Sequence, residues 1–275
     1  MFKKYLVVAS KKDLAGVNIT TQLSQFRPNP LMKSMGNGAS FDFYLIDELQ
    51  IYTESLDLEK INKYDFIIFA SKHQSKKKEK SLSVHAPGNW RNADYGGEKG
   101  KACRSSALFQ KFMFEILMKN REKFNLTGYQ VTMEVTHHGP LIDKPCVFIE
   151  IGSTETEWND RRAGFAIAKT IDEVIAEFKP SEYQEIAIAL GGPHYCPSFN
   201  KIQAKSNIAI SHVIPNYVAP ITEEMVLEAV EKTVEEIDFA ILDWKGLGQA
   251  DKRDEVVNIL EKNYIDWKKA SDIKK

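Results

Sequence analysis

Tyr5-Leu-Val-Val-Ala-Ser10, closed by Lys11-Lys12, is a short apolar run bounded by charge, and Asp65-Phe-Ile-Ile-Phe-Ala-Ser71, closed by Lys72, repeats the pattern. Apolar runs of this length without strict alternation read as strands buried on both faces. Each opens at its C-terminal end into a polar segment, where open α/β sheets bind their ligands. Glu185-Ile-Ala-Ile-Ala-Leu190 and Ile208 to Ile214 read as further strands. Tyr129 to His138 and Pro145 to Ile151 are two β-rich runs whose short separator suggests a hairpin. Between the strands lie helical stretches. Leu14 to Phe26 ends at Arg27-Pro28-Asn29-Pro30, and Ser106 to Lys123 carries Phe109, Phe112, Met113, Ile116 and Leu117 on one face as a core stripe. Others run from Asn159 to Phe178, from Thr222 to Ile237 behind a threonine cap, and from Asp251 to Asn263. Strands alternating with helices imply an α/β fold, with a mostly parallel or mixed central sheet and helices on both faces.

A chain of 275 residues, 43% hydrophobic and 27% charged, can bury a sizeable core, which excludes disorder and points to one α/β domain over 1–275. The apolar run after Met1 is too short for a signal-peptide core, and no stretch approaches the roughly 18 apolar residues that span a bilayer. Cys103, Cys146 and Cys196 are too scattered for a disulfide framework or a zinc knuckle, so a cytoplasmic setting away from membranes is expected. The net charge of −1 hides an uneven distribution, with nine cations against three anions between Lys72 and Arg104. This stretch, at about 72–105, reads as a long basic loop. It fits a polyanionic partner met on one side, or simply a solvated loop.

There is no Gly-x-Ser-x-Gly elbow, Walker loop, dinucleotide fingerprint or His-Glu-x-x-His. The histidines are the informative residues. His85 in Ser83-Val-His-Ala-Pro-Gly-Asn-Trp90, His137 and His138 in Glu134-Val-Thr-His-His-Gly-Pro140, and His194 in Gly191-Gly-Pro-His-Tyr195 all stand among Gly and Pro at apparent strand ends. Glycine allows close backbone approach and proline stiffens a loop, so an imidazole there is presented at a defined position for metal binding or proton transfer. Strand alternation places Glu134 and His138 on one face and His137 on the other, which favours His138 as the site residue. Glu150 interrupts an apolar strand, where a carboxylate is costly to bury without a partner. It would serve as a metal ligand, a base, or half of a structural ion pair. Symmetric pairing of the hairpin would bring Glu134 near Glu150 and His138 near Cys146. His73 stands in the lysine-rich stretch and is expected to be dispensable. Ile151-Gly-Ser-Thr-Glu-Thr-Glu-Trp158 suits an anion site or a helix N-cap.

Taken in order, these motifs, with Glu150-Ile-Gly-Ser-Thr-Glu-Thr-Glu-Trp158 and the opening Asp13-Leu-Ala-Gly-Val-Asn-Ile19, resemble the archaeal and plant-type D-aminoacyl-tRNA deacylases over almost the whole chain. The resemblance implies a cytoplasmic, zinc-dependent enzyme that cleaves the ester of D-aminoacyl-tRNA in a proofreading role. It also implies a fold similar to peptidyl-tRNA hydrolases and nucleoside phosphorylases. On the residue reading, Zn2+ would be held by a subset of His85, His138, Glu150 and His194, with Glu134, His137 and His138 handling protons. Lys76, Lys77, Lys78, Lys80, Arg91, Lys99, Lys101 and Arg104 would contact tRNA phosphates, and Trp90 or Tyr95 would stack on an unpaired base. The protein would act as a monomer or small homo-oligomer. A nucleoside phosphorylase or nucleotidase on a similar sheet, and a non-catalytic RNA-binding module, are the alternatives.

Overall fold

The computed structural model describes residues 2–26, 40–53, 58–180 and 185–274, so the helix-ending Arg27-Pro28-Asn29-Pro30 lies outside the described residues. The first sheet contains β1 (Lys4–Ser10), β2 (Ser40–Ile46), β3 (Phe66–Gln74), β4 (Ser81–His85), β5 (Gln130–Met133) and β6 (Cys146–Ser153). They lie side by side in the order β2-β1-β3-β6-β4-β5, and every pair is parallel except β4 with β6. The second sheet contains β7 (Glu185–Gly192), β8 (Ile208–Pro215), β9 (Phe239–Leu242) and β10 (Trp267–Lys269), ordered β10-β9-β7-β8 and all parallel. The expected mixed α/β fold is present, with its strands divided between two sheets.

The helices are α1 (Leu14–Leu23), α2 (Leu58–Ile61), α3 (Ala107–Lys123), α4 (Glu155–Trp158), α5 (Arg161–Glu177), α6 (Pro197–Lys205), α7 (Glu223–Glu231) and α8 (Ala250–Lys262). Strand alternation decides which of them each strand meets. Val147, Ile149 and Ile151 of β6 join a core with apolar residues of α1, α3 and α5, while Cys146 and Phe148 turn to the other face beside Leu6, Val8, Ile67 and Phe69. In β7, Ala187 and Ala189 pack with Phe114 of α3 and Phe199 and Ile202 of α6, whereas Ile188 and Leu190 pack with residues of α7 and α8. Helices therefore cover both faces of the second sheet, and α3 contributes to the cores of both sheets. The α3 stripe of Phe109, Met113, Ile116 and Leu117 is buried, with Phe112 packed against it, as its spacing predicts. Among the described residues no helix is long and apolar enough to cross a membrane.

Three sequence expectations are corrected. The hairpin does not form: β4 lies between the two β-rich runs and pairs with both. The basic stretch at 72–105 is not one loop, because β3 continues to Gln74 and β4 occupies Ser81–His85. The helix opened by Thr222, whose hydroxyl accepts a hydrogen bond from Met225 N as expected, stops at Glu231 rather than near Ile237. Beyond it the backbone turns to pair with Ser105, through Ser105 N to Lys232 O and Val234 N to Ser105 O. Those sheet-type bonds replace the helical ones.

Candidate metal centre

On the second face of β6 the alternation Cys146, Phe148 is continued by Glu150, and β3 likewise runs Ile67, Phe69, Ser71, His73. The register sets Ser71 beside Glu150 and Glu150 beside Ser83, so this face changes from apolar core to polar floor as β3 and β6 approach their C-terminal ends. His85 ends β4, stacks on Phe148 at 5.2 Å, and is wholly buried. Glu134 follows β5. The next segment is tied to both sheets: Val135 N donates to His194 O, Thr136 N to Val213 O, and Gly88 N to His138 O. His194 arrives on the loop after β7. The centre thus lies where the two sheets meet.

Five of the six histidines converge on Glu134 and Glu150. Glu134 lies 3.2 Å from His73 Nδ1, 3.1 Å from His194 Nε2 and 3.5 Å from His137 Nε2. Glu150 lies 3.7 Å from both His73 Nδ1 and His85 Nε2, and 4.0 Å from His138 Nε2. Both carboxylates are buried. Burial would raise the Glu150 pKa, but His73 and His85 outweigh it and hold it down to about 2. Glu134, against the same desolvation, is held well below the usual carboxylate range by His194 and His73. Burial would likewise lower the His73 pKa, yet the two carboxylates push it up to about 12. His138 goes the other way, to about 4, because burial and the neighbouring His85 disfavour a proton.

The tautomers are set by backbone carbonyls. His85 Nδ1 faces Ala86 O at 3.1 Å, His137 Nδ1 faces Val135 O at 2.8 Å, and His138 Nδ1 faces Gly139 O at 2.7 Å. A carbonyl only accepts, so each Nδ1 donates and the Nε2 of each ring is turned to the centre; on His137 and His138, which burial keeps neutral, that Nε2 carries a lone pair. This is how metal-ligating histidines are usually oriented. Glu134 Oε1, Glu134 Oε2 and His85 Nε2 are buried without an aligned hydrogen bond, the short ion-pair contacts of Glu134 lying off the N–H directions. Buried polar atoms rarely stay unpaired, so three of them in one cluster fit a cation. Among the described residues, three groups bring ligand atoms within 4.8 Å of one another: His85, His137 and His138; His73, Glu134 and His194; and His85, Glu134 and Glu150.

Sequence reasoning found His85, Glu134, His137, His138, Glu150 and His194, and the structure gathers them all. Glu134 and Glu150 approach one another across β4 rather than in a hairpin, and His138 lies against Glu150, not Cys146. The strand alternation invoked to separate His137 from His138 stops at Met133, and His138 adopts a φ of 45° that lets both rings reach the centre. His73 is the residue that was missed. It is buried on β3, with Nε2 2.8 Å from the Tyr195 hydroxyl. His212, the sixth histidine, stands apart between Thr136 Oγ1 and Lys232 O. In the 151–158 segment Ile151 to Ser153 close β6, and Thr154 opens α4 in a capping box with Glu157, while Ser153, Thr154, Glu155 and Trp158 line the cleft above the centre.

A cleft of about 920 Å³ opens from this centre, and Lys76 and Lys78 line it. Lys80 instead faces Glu157 at 3.4 Å and Lys101 faces Glu228 at 3.6 Å, while Arg91 donates to Val218 O and Pro220 O. Lys99 and Arg104 are exposed. Trp90 cannot stack on a base: it is 4% exposed, joins the core beside Ile214 and Ala102, and donates Nε1–H to Val213 O.

A sequence model of the D-aminoacyl-tRNA deacylase family matches residues 60–268, which include every histidine and both carboxylates of the centre. The chain belongs to the D-aminoacyl-tRNA deacylase family. Among its deacylase relatives, the D-aminoacyl-tRNA deacylase of Thermococcus onnurineus is 34% identical over 88% of this chain and 91% of that protein. The one from Methanocaldococcus jannaschii is 33% identical over 97% and 99%. The crystal structure of the conserved protein of unknown function AF0625 superposes on this deacylase-family chain with a TM-score of 0.87 at 30% identity, covering 98% of this chain and 96% of that one.

Proposed function

We propose that this protein hydrolyses the ester joining a D-amino acid to the terminal ribose of tRNA, using zinc held by a subset of His85, His138, Glu150 and His194, with His73 as a further candidate ligand. The observation that carries the reading is five imidazoles and two buried carboxylates closing on one another at the floor of a cleft, in a chain of this family. Bound zinc would lower the pKa of water toward neutrality and polarise the ester carbonyl. The chain's own groups do the rest. Glu134 and His137 hold and pass the proton that the attacking water releases, since their facing atoms are 3.5 Å apart and His137 presents an unprotonated Nε2. Tyr195 fixes the His73 ring from behind. Such a histidine cluster is superfluous to a bare RNA-binding module, and family membership disfavours a phosphorylase or nucleotidase. We place the enzyme in the cytoplasm, where aminoacyl-tRNA is found.

Exhaustive chelation should abolish hydrolysis of D-tyrosyl-tRNA, stoichiometric zinc should restore it, and elemental analysis of the purified protein should find zinc. Full activity in protein stripped of metal would overturn the assignment. The lysines test the other half of the reading. Replacing Lys76, Lys77 and Lys78 together by alanine should weaken tRNA binding and reduce the slope of log affinity against log salt by roughly two to three, at about 0.7–0.9 per phosphate contact. An unchanged slope would assign these lysines to solvent.

A further inference from the structure

The cleft above the metal centre is lined by two unlike sets of side chains. One part of the lining is apolar and aromatic, with Leu49, Ile51, Tyr52 and Tyr95; another is basic, with Lys72 over the Trp158 ring and Lys76 and Lys78 besides. Tyr52 is 47% exposed and Tyr95 64%, yet the backbone that bears them is fixed. Gly139 N donates to Tyr95 O, Asn89 Nδ2 to Gly96 O, and Tyr52 N to Leu49 O. A Cβ on Gly96, which has φ +74°, would lie 1.7 Å from Ile51 O, and one on Gly139 would lie 2.4 Å from Gly96 C. Three chain segments therefore interlock tightly enough to exclude a methyl group. Gln50 locks them to the sheet by donating to Asp13 Oδ2 at 2.8 Å and to Ala70 O at 3.1 Å. Tyr95 is thereby held one residue from His138 by backbone contact, with its ring in the open. Rings left uncovered on so rigid a frame are preorganised for a ligand.

The basic part of the lining is equally built. Asp13 Oδ2 accepts from Lys72 N at 2.9 Å, the Lys72 ammonium lies 4.9 Å from the centre of the Trp158 ring, and Trp158 Nε1 donates to His73 O. Among the described residues, Lys72, Lys76 and Lys78 form no ion pair with a carboxylate, unlike Lys80 and Lys101. A cation one residue from His73 thus lines the cleft over the Trp158 ring, without a carboxylate partner among the described residues.

The geometry points to a subsite for the terminal nucleotide of the tRNA: its base stacks on Tyr52 and Tyr95, and its 5′-phosphate is held by Lys72. This rests on the deacylase reading above and adds where the leaving nucleotide sits. Aromatic platforms take any base through its π-face, and a cleft of this size lies within the range of about 300–1,000 Å³ that encloses small ligands.

Calorimetric binding of adenosine 5′-monophosphate, ribose 5-phosphate and adenosine to the metal-loaded protein tests the subsite without relying on turnover. We expect adenosine 5′-monophosphate to bind at least about tenfold more tightly than ribose 5-phosphate. In the Tyr52→Ala/Tyr95→Ala double variant the two should become equal, and Tyr95→Phe should behave as wild type. Lys72→Met should remove the advantage of adenosine 5′-monophosphate over adenosine and leave adenosine binding unchanged. All these side chains reach the cleft, so folding should be unaffected, which circular dichroism checks. Equal affinities for adenosine 5′-monophosphate and ribose 5-phosphate in the wild type, or an undiminished preference in the tyrosine variant, would overturn the subsite. A protein that binds the nucleotide as expected but cleaves no D-aminoacyl ester would retain the subsite and lose the deacylase reading.

Discussion

His73→Ala and Glu150→Gln should each lower single-turnover hydrolysis of D-tyrosyl-tRNA at least about a hundredfold, the scale of losing a ligand, its support or a proton-transfer group. His73 touches both carboxylates and Tyr195, so its loss takes one partner from Glu134 and Glu150 together. Glu150 touches His73, His85 and His138, and its amide replacement keeps the shape while removing the charge that orients three rings. His85→Ala and His138→Ala should fall in the same range. Because these groups act as a unit, double variants should lose little more than singles. Zinc content of each variant separates the roles, since a ligand variant loses metal and a proton-transfer variant keeps it. Near-wild-type rates for both His73→Ala and Glu150→Gln would sink the proposed centre.

That His73 went unrecognised in the sequence has a physical cause. Its strand announces itself by Phe66 to Ala70, all buried, and after Ser71 passes into Lys-His-Gln, which reads as loop because the apolar signal has ended. The signal that could have found it is alternation carried past the apolar run: Ile67, Phe69, Ser71, His73. The same reading succeeded on β6, where Glu150 sits between Ile149 and Ile151 and the apolar flanks persist. β4 was invisible for a related reason. Its core face offers only Leu82 and Val84 between serines, and without it the runs around Glu134 and Glu150 look like neighbours. Side-chain alternation reports which face a residue takes, whereas strand neighbours depend on contacts distant in sequence. Hence the two carboxylates were brought together correctly by an incorrect route. Trp90 fails in the opposite sense: its flanks of Gly, Asn and Arg look like an exposed loop, and only the three-dimensional structure shows Val213 O receiving its N–H.

Chirality at the α-carbon should outweigh side-chain identity in this enzyme: with one tRNA under single-turnover conditions, D-tyrosyl-tRNA should be cleaved at least about a hundredfold faster than L-tyrosyl-tRNA, about 2.7 kcal/mol of transition-state free energy. If the floor of histidines fixes the ester carbonyl and the cleft fixes the terminal nucleotide, exchanging the α-substituents drives the wrong enantiomer's side chain into a wall. The wall that carries Ile51 and Tyr95 cannot yield readily, since the backbone supporting it, at Ile51, Gly96 and Gly139, is already packed too closely to admit a Cβ. Close-packed atoms resist such displacement, so exclusion by clash can be steep. Differences among side chains are gentler, because a methylene in an apolar pocket is worth only about 1–3 kcal/mol. D-alanyl-, D-phenylalanyl- and D-tyrosyl-tRNA should therefore react at rates closer to one another than any of them is to its L-counterpart. Equal rate constants for D- and L-tyrosyl-tRNA would leave a nonspecific esterase. A preference that followed the side chain rather than the configuration would mean that the cleft grips the amino acid and not the nucleotide.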